Sequence, residues 1–130
     1  DYAHHPTEVR ALLTAARPIA GQGRLVALFQ PHLFTRTRDF AGAFGAALAL
    51  ADEVVVLDVY PAREDPIAGV TGELVADAAR SAGARVTYVA DKRHAPGVLA
   101  RLLRPGDLAL TIGAGDVTAV GPATMAQVMK

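Results

Sequence analysis

The feature that most constrains this chain is a strict alternation of two hydrophobic periods. Val9, Leu12, Leu13 and Ala16 recur at i, i+3, i+4 and i+7, which predicts an amphipathic helix from Pro6 to about Arg17. RLVALFQ (24–30) is a short apolar run bounded by Gly23 and Pro31, so it reads as a buried strand. Phe40, Phe44, Ala47, Leu48 and Ala51 mark a second helix. EVVVLDV (53–59) is β-branched and unbroken, the signature of a strand covered on both faces. A polar loop, YPAREDPIAG (60–69), leads to a helix from about Gly72 to Ser81, and RVTYV (85–89) is a third strand. Val98, Leu99, Leu102 and Leu103 form a helical stripe that stops at Pro105-Gly106. DLALTI (107–112) is a fourth strand, GAGD (113–116) a glycine-rich turn, and Val117 to Met129 a last helix.

Short buried strands separated by helices require parallel pairing, because each crossover returns the chain to the same sheet end. Right-handed crossovers then give an α/β fold: a Rossmann-like, doubly wound, mostly parallel sheet with helices on both faces. The first helix has no strand feeding it, so a fifth strand is expected ahead of Asp1. The absent initiator methionine points the same way, toward a segment of a longer chain. At 130 residues the segment is expected to form a single domain with its own core. Apolar residues make up 52 % but aromatics only 5 %, which suits helices packed closely on a sheet. The absence of cysteine excludes disulfides and thiolate chemistry. A net charge of +0 with no Lys/Arg cluster argues against a nucleic-acid partner. No stretch approaches the ~20 apolar residues of a membrane span, and no secretory signal is visible, so a cytoplasmic location is expected.

In an open parallel sheet, ligands bind beyond the carboxyl ends of the strands. That rim carries DYAHHPTE (1–8), QPHLFTRTRD (30–39), DVYPAREDP (58–66), ADKRH (90–94) and GAGD, and with them all four histidines. The opposite rim reads as ordinary turns. Pro6 suits the first position of its helix and Glu8 the first turn, which sets His4 and His5 at a helix N-terminus. Free N–H groups and the helix dipole favour an anion there, a carboxylate or phosphate; alternatively one histidine caps the helix and the other packs beneath the loop. Arg36 stands where a strand passes into a helix and can clamp a carboxylate with both nitrogens. Arg38 is expected to be solvated or paired with a nearby acid. A zinc site from His4, His5 and His32 is disfavoured, because adjacent histidines rarely face one ion. No GxxxxGK[ST] loop occurs, so the segment has no P-loop grip on a triphosphate.

DYAHHPTE, FQPHLFTRTRDF, LDVYPAREDPIAGVTGE and TIGAGDV, in this order and spacing, resemble the C-terminal domain of the Mur ligases, in particular the branch that adds L-alanine. The resemblance covers nearly the whole chain and implies ATP-dependent amide formation in peptidoglycan synthesis. ATP phosphorylates the carboxylate of UDP-N-acetylmuramate, L-alanine attacks, and ADP and phosphate leave. The UDP-sugar domain and the central domain, with the P-loop and Mg2+ ligands, are absent, so the segment alone is expected to be inactive. Carried over by position, Asp1 resembles the acid at the ATP ribose and Tyr2 a wall of the amino-acid pocket. His4 and Arg36 resemble the pair that meets the L-alanine carboxylate, with Gly113 and Asp116 close to the same pocket. No catalytic residue and no metal ligand is expected within the segment. The common family motif is QPHRYTRT, and here Leu33 replaces its arginine. Carboxylate binding then falls to Arg36 and His4, or Arg63 joins them, and glycine or serine could also be accepted. Two other readings compete: a stand-alone module binding a small carboxylate or nucleotide, and a purely structural domain.

Overall fold

The computed structural model describes residues 5–113. The elements are α1 (Pro6–Ala20), β1 (Leu25–Gln30), α2 (Phe34–Leu48), β2 (Glu53–Leu57), α3 (Glu73–Ser81), β3 (Arg85–Val89), α4 (Ala95–Leu102) and β4 (Leu108–Gly113). The four strands form one sheet in the order β3-β2-β1-β4, and every pairing is parallel. From β1 the chain steps through β2 to β3, then returns by α4 to place β4 on the other side of β1. That reversal is the doubly wound arrangement expected from the alternation, and it puts the switch point between β1 and β4.

Alternate residues of each central strand face opposite layers. Leu25, Ala27, Phe29, Val54 and Val56 pack with Val9 and Leu13 of α1, Phe44 and Leu48 of α2, and Val75 of α3. Val26, Leu28, Val55 and Leu57 face the other way, onto Ala95 and Leu99 of α4. Both strands are therefore fully buried, whereas β3, at the edge, is exposed on alternate residues. Each fully buried Leu, Val or Phe side chain contributes about 1.5–3 kcal/mol, so this two-sided core fixes the strand ends in space.

The differences from the sequence reading are local. Helix α1 runs through Pro18 to Ala20, because near a helix end the proline forfeits a single bond. Helix α2 starts at Phe34 rather than near Phe40, and Phe40 is 38 % exposed, with its ring against His5. Ala51 is buried but lies in the turn after α2. Strand β2 ends at Leu57, and a 3-10 turn at Lys92–His94 precedes α4. The expected helix at 117–129, the turn beyond Gly113, and Asp1, Tyr2, His4 and Asp116 lie outside the described residues.

Candidate functional site

Two connections at the carboxyl edge clasp one another. The Leu33 amide donates to the Tyr60 carbonyl at 2.9 Å, and the Tyr60 amide donates to the Pro31 carbonyl at 2.8 Å. This short parallel bridge stacks the His32 and Tyr60 rings, with centroids 6.0 Å apart and planes 15° from parallel. Arg36, in the first turn of α2, places Nη1 3.0 Å from His32 Nδ1. A guanidinium only donates, so Nδ1 accepts and the imidazole proton is held on Nε2. The guanidinium thus has one nitrogen steadied on the histidine and others left to meet a carboxylate.

Glu64 closes the clasp from the β2–α3 loop. Its carboxylate accepts from the Phe34 amide, from the Thr35 amide at 3.1 Å and from the Thr35 hydroxyl. The Thr35 hydroxyl, foremost, and the two amides hold this carboxylate below the usual glutamate range against the cost of desolvation. Three non-glycine residues around it have left-handed backbone: Leu33 (φ 70°), Ala62 (φ 47°) and Arg63 (φ 78°). Each such residue costs on the order of 1–3 kcal/mol and persists only where its surroundings over-determine it.

The N-terminus of α1 reaches the same edge. His5 is its cap, with Nδ1 accepting from the Thr7 amide at 3.2 Å, and Pro6 occupies the first helical position. The His5 ring lies 5.2 Å from that of Phe40, which stands one helical turn beyond Arg36 on α2. Of the two readings of the paired histidines, His5 therefore takes the capping one.

On the α4 side of Tyr60 lies a cleft of about 420 Å³ lined by Gln30, Asp58, Tyr60, Asp91, Lys92 and Arg93. Its acids are already engaged. Asp58 Oδ1 accepts from the amides of Val59 (2.9 Å) and Gly72 (3.0 Å). Asp91 binds Arg93 at 2.6 Å, and that guanidinium holds its carboxyl well below the usual range. Gln30, 4 % exposed, has a buried Oε1 without a hydrogen-bond partner among the described residues, and leaving such an atom unpaired costs about 1–3 kcal/mol. Gly113, paired with Gln30 across the switch point, has φ 134°, and a Cβ there would stand 2.6 Å from the Gln30 carbonyl oxygen.

Of the residues expected at the site, Arg36 and Gly113 are described, and both lie at the carboxyl edge. Arg38 pairs with Asp39 at 3.0 Å, the bland role foreseen for it. Arg63 is exposed in the clasp loop. Sequence reasoning missed Glu64, Tyr60 and Gln30. A glutamate in a polar loop carries no local sign that it will cap a helix 29 residues away, though Leu33, a poor cap residue ahead of α2, could have prompted the search.

A doubly wound parallel sheet with Arg36 and a polar cleft at its carboxyl edge defines a Rossmann-like α/β domain. The family model described as "Mur ligase, glutamate ligase domain" matches residues 1–115, and the chain belongs to that family. It is 68 % identical to the UDP-N-acetylmuramate–L-alanine ligase of Cutibacterium acnes, over 94 % of this chain. It is 61 % identical to the ligase of the same name from Saccharopolyspora erythraea, over 100 % of this chain. The chain spans 26 % of each of these relatives. The crystal structure of the UDP-N-acetylmuramate–alanine ligase from Thermotoga maritima superposes with a TM-score of 0.73 at 30 % identity, over 99 % of this chain and 26 % of that one. A murein peptide ligase from Psychrobacter arcticus gives 0.76 at 17 % identity, over 98 % of this chain and 26 % of that one, a likeness of fold alone.

Proposed function

We propose that this chain is the amino-acid-binding C-terminal domain of a cytoplasmic UDP-N-acetylmuramate–L-alanine ligase of peptidoglycan synthesis. The whole enzyme joins L-alanine to the muramoyl carboxylate at the expense of ATP. Arg36 receives the carboxylate of the incoming amino acid, with His32 and Tyr60 holding the guanidinium in place. His4 and Tyr2 complete the pocket, Gly113 and Asp116 border it, and Asp1 meets the ATP ribose. Mg2+ is assigned to the central domain of the whole enzyme, with the P-loop. The observation that carries the reading is the Arg36–His32–Tyr60 stack at the carboxyl edge of a domain so similar to L-alanine ligases.

The test is an NMR titration of the 130-residue chain, and of the full-length ligase, with L-alanine and with acetate. Saturable shifts at Arg36, His32 and Gly113 that alanine produces and acetate does not are expected, in the full-length enzyme at least. Shifts confined to the opposite rim, or none in either protein, would overturn the assignment. The 130-residue chain alone is expected to show no L-alanine-dependent ATP hydrolysis, and turnover by it would contradict the division of labour between domains.

A further inference from the structure

We propose that Glu64 is the positioning residue of the carboxylate clamp: by capping α2 it fixes the backbone on which Arg36 is carried and the loop on which Tyr60 and His32 are stacked. The inference rests on Arg36 being the receptor for the substrate carboxylate.

Helix α2 is badly equipped to start itself. Its N-cap is Leu33, which offers no side-chain acceptor and sits at φ 70°. The first amides of a helix have no partner within it, and those of Phe34 and Thr35 are satisfied instead by Glu64, from a loop 30 residues along. Arg36 is thereby pinned on both sides. Thr35 is held by Glu64 through amide and hydroxyl, while Thr37 returns its amide (3.1 Å) and hydroxyl (2.7 Å) to the Leu33 carbonyl. The side chain of Arg36 is then steadied by His32, which stacks on Tyr60 in the same loop that supplies Glu64. Two strained residues, Ala62 and Arg63, lie between Tyr60 and Glu64 and aim the carboxylate back at α2. A negative charge already sits on the α2 N-terminus, so a substrate carboxylate is left to the guanidinium rather than to the helix.

A capping residue that only stabilised the fold would leave substrate affinity alone. One that acts through Arg36 makes a different pattern, read in the full-length ligase with L-alanine varied at saturating ATP and UDP-N-acetylmuramate. Glu64→Ala should raise the KM for L-alanine about 10-fold with little change in kcat or in the KM for ATP. Glu64→Asp, which keeps the charge, should recover part of that loss. Arg36→Ala should raise the same KM, and the double variant should be no worse than Arg36→Ala alone, the non-additivity of residues that act as a unit. Should Glu64→Ala fail to fold, Glu64→Gln, which keeps the size and one acceptor oxygen, carries the same comparison. Independent, additive losses, or a lowered melting temperature with KM unchanged, would overturn the inference while leaving the Arg36 effect intact. If Arg36→Ala itself left KM unchanged, the clamp reading would fall and this inference with it.

Discussion

Gly113 shows how one residue ties the sheet to the site. It ends β4 opposite Gln30, in a left-handed conformation with the Gln30 carbonyl where a side chain would begin. Gly113→Ala is therefore expected to destabilise the fold by about 1–3 kcal/mol, through strain at φ 134° and a clash that pries β4 from β1. Urea unfolding monitored by circular dichroism checks it, and the same variant should weaken binding at the switch point. The glycine was legible in the sequence as part of a turn, but its close approach to β1 was not. The same holds for Glu64 and Gln30. Their roles depend on partners brought near by the parallel pairing of β1 with β2 and β4, and no local period reports which loops will meet. The placement of Arg36 at the carboxyl edge, by contrast, was legible because a strand-to-helix junction is itself a local feature.

At the scale of elements, α2 and α3 lie side by side on one face of the sheet, and Gly45 is the reason they can approach. A Cβ at Gly45 would lie 2.5 Å from the Ala78 backbone and side chain, so the contact is helix on helix with nothing between. Gly45→Ala improves helix propensity by about 1 kcal/mol, yet overpacking costs about 1–3 kcal/mol, and backbone atoms cannot rotate away. A lower thermal midpoint is the expected net result, and an unchanged or higher one would mean that α3 can slide. Leu13→Ala, in contrast, empties a fully buried site between α1 and the sheet and should cost about 2–5 kcal/mol by urea unfolding. Element type was readable from periodicity throughout the described residues, since strands and helices differ in the spacing of their apolar residues. Element ends were less so. The α2 start is dictated by Glu64 from outside, and Phe40, counted in the helical stripe by its spacing, is partly exposed with its ring against His5.

The whole molecule has two poles, the carboxyl and the amino ends of its parallel strands. At the amino ends of the strands Arg24 binds Asp107 at 2.8 Å and Glu53 at 3.4 Å, while Asp52 takes the Leu25 amide and the Arg17 guanidinium. This network joins the starts of β1, β2 and β4, so the pole read from sequence as ordinary turns is a charged seam beneath the sheet. The hydrogen bond from Arg24 lowers the Asp107 carboxyl and that from Arg17 lowers Asp52. A group whose folded pKa is depressed contributes stability above its unfolded pKa, near 4, and loses it as pH falls through the folded value. Tyr88 sets the other limit. Burial, followed by the charge of Asp58, pushes its hydroxyl up to about 12, so its contribution to stability is constant below about pH 10 and declines between there and 12. The urea midpoint should therefore form a plateau from about pH 5 to pH 10 with a falling limb on each side. Asp107→Asn should lower the plateau and flatten the acid limb, because the network is weakened and one titrating carboxylate is gone. Tyr88→Phe should flatten the alkaline limb alone. An acid limb unchanged in Asp107→Asn would place the acid-labile carboxylate elsewhere, among Asp52, Asp91 and Glu64, each of which is also depressed.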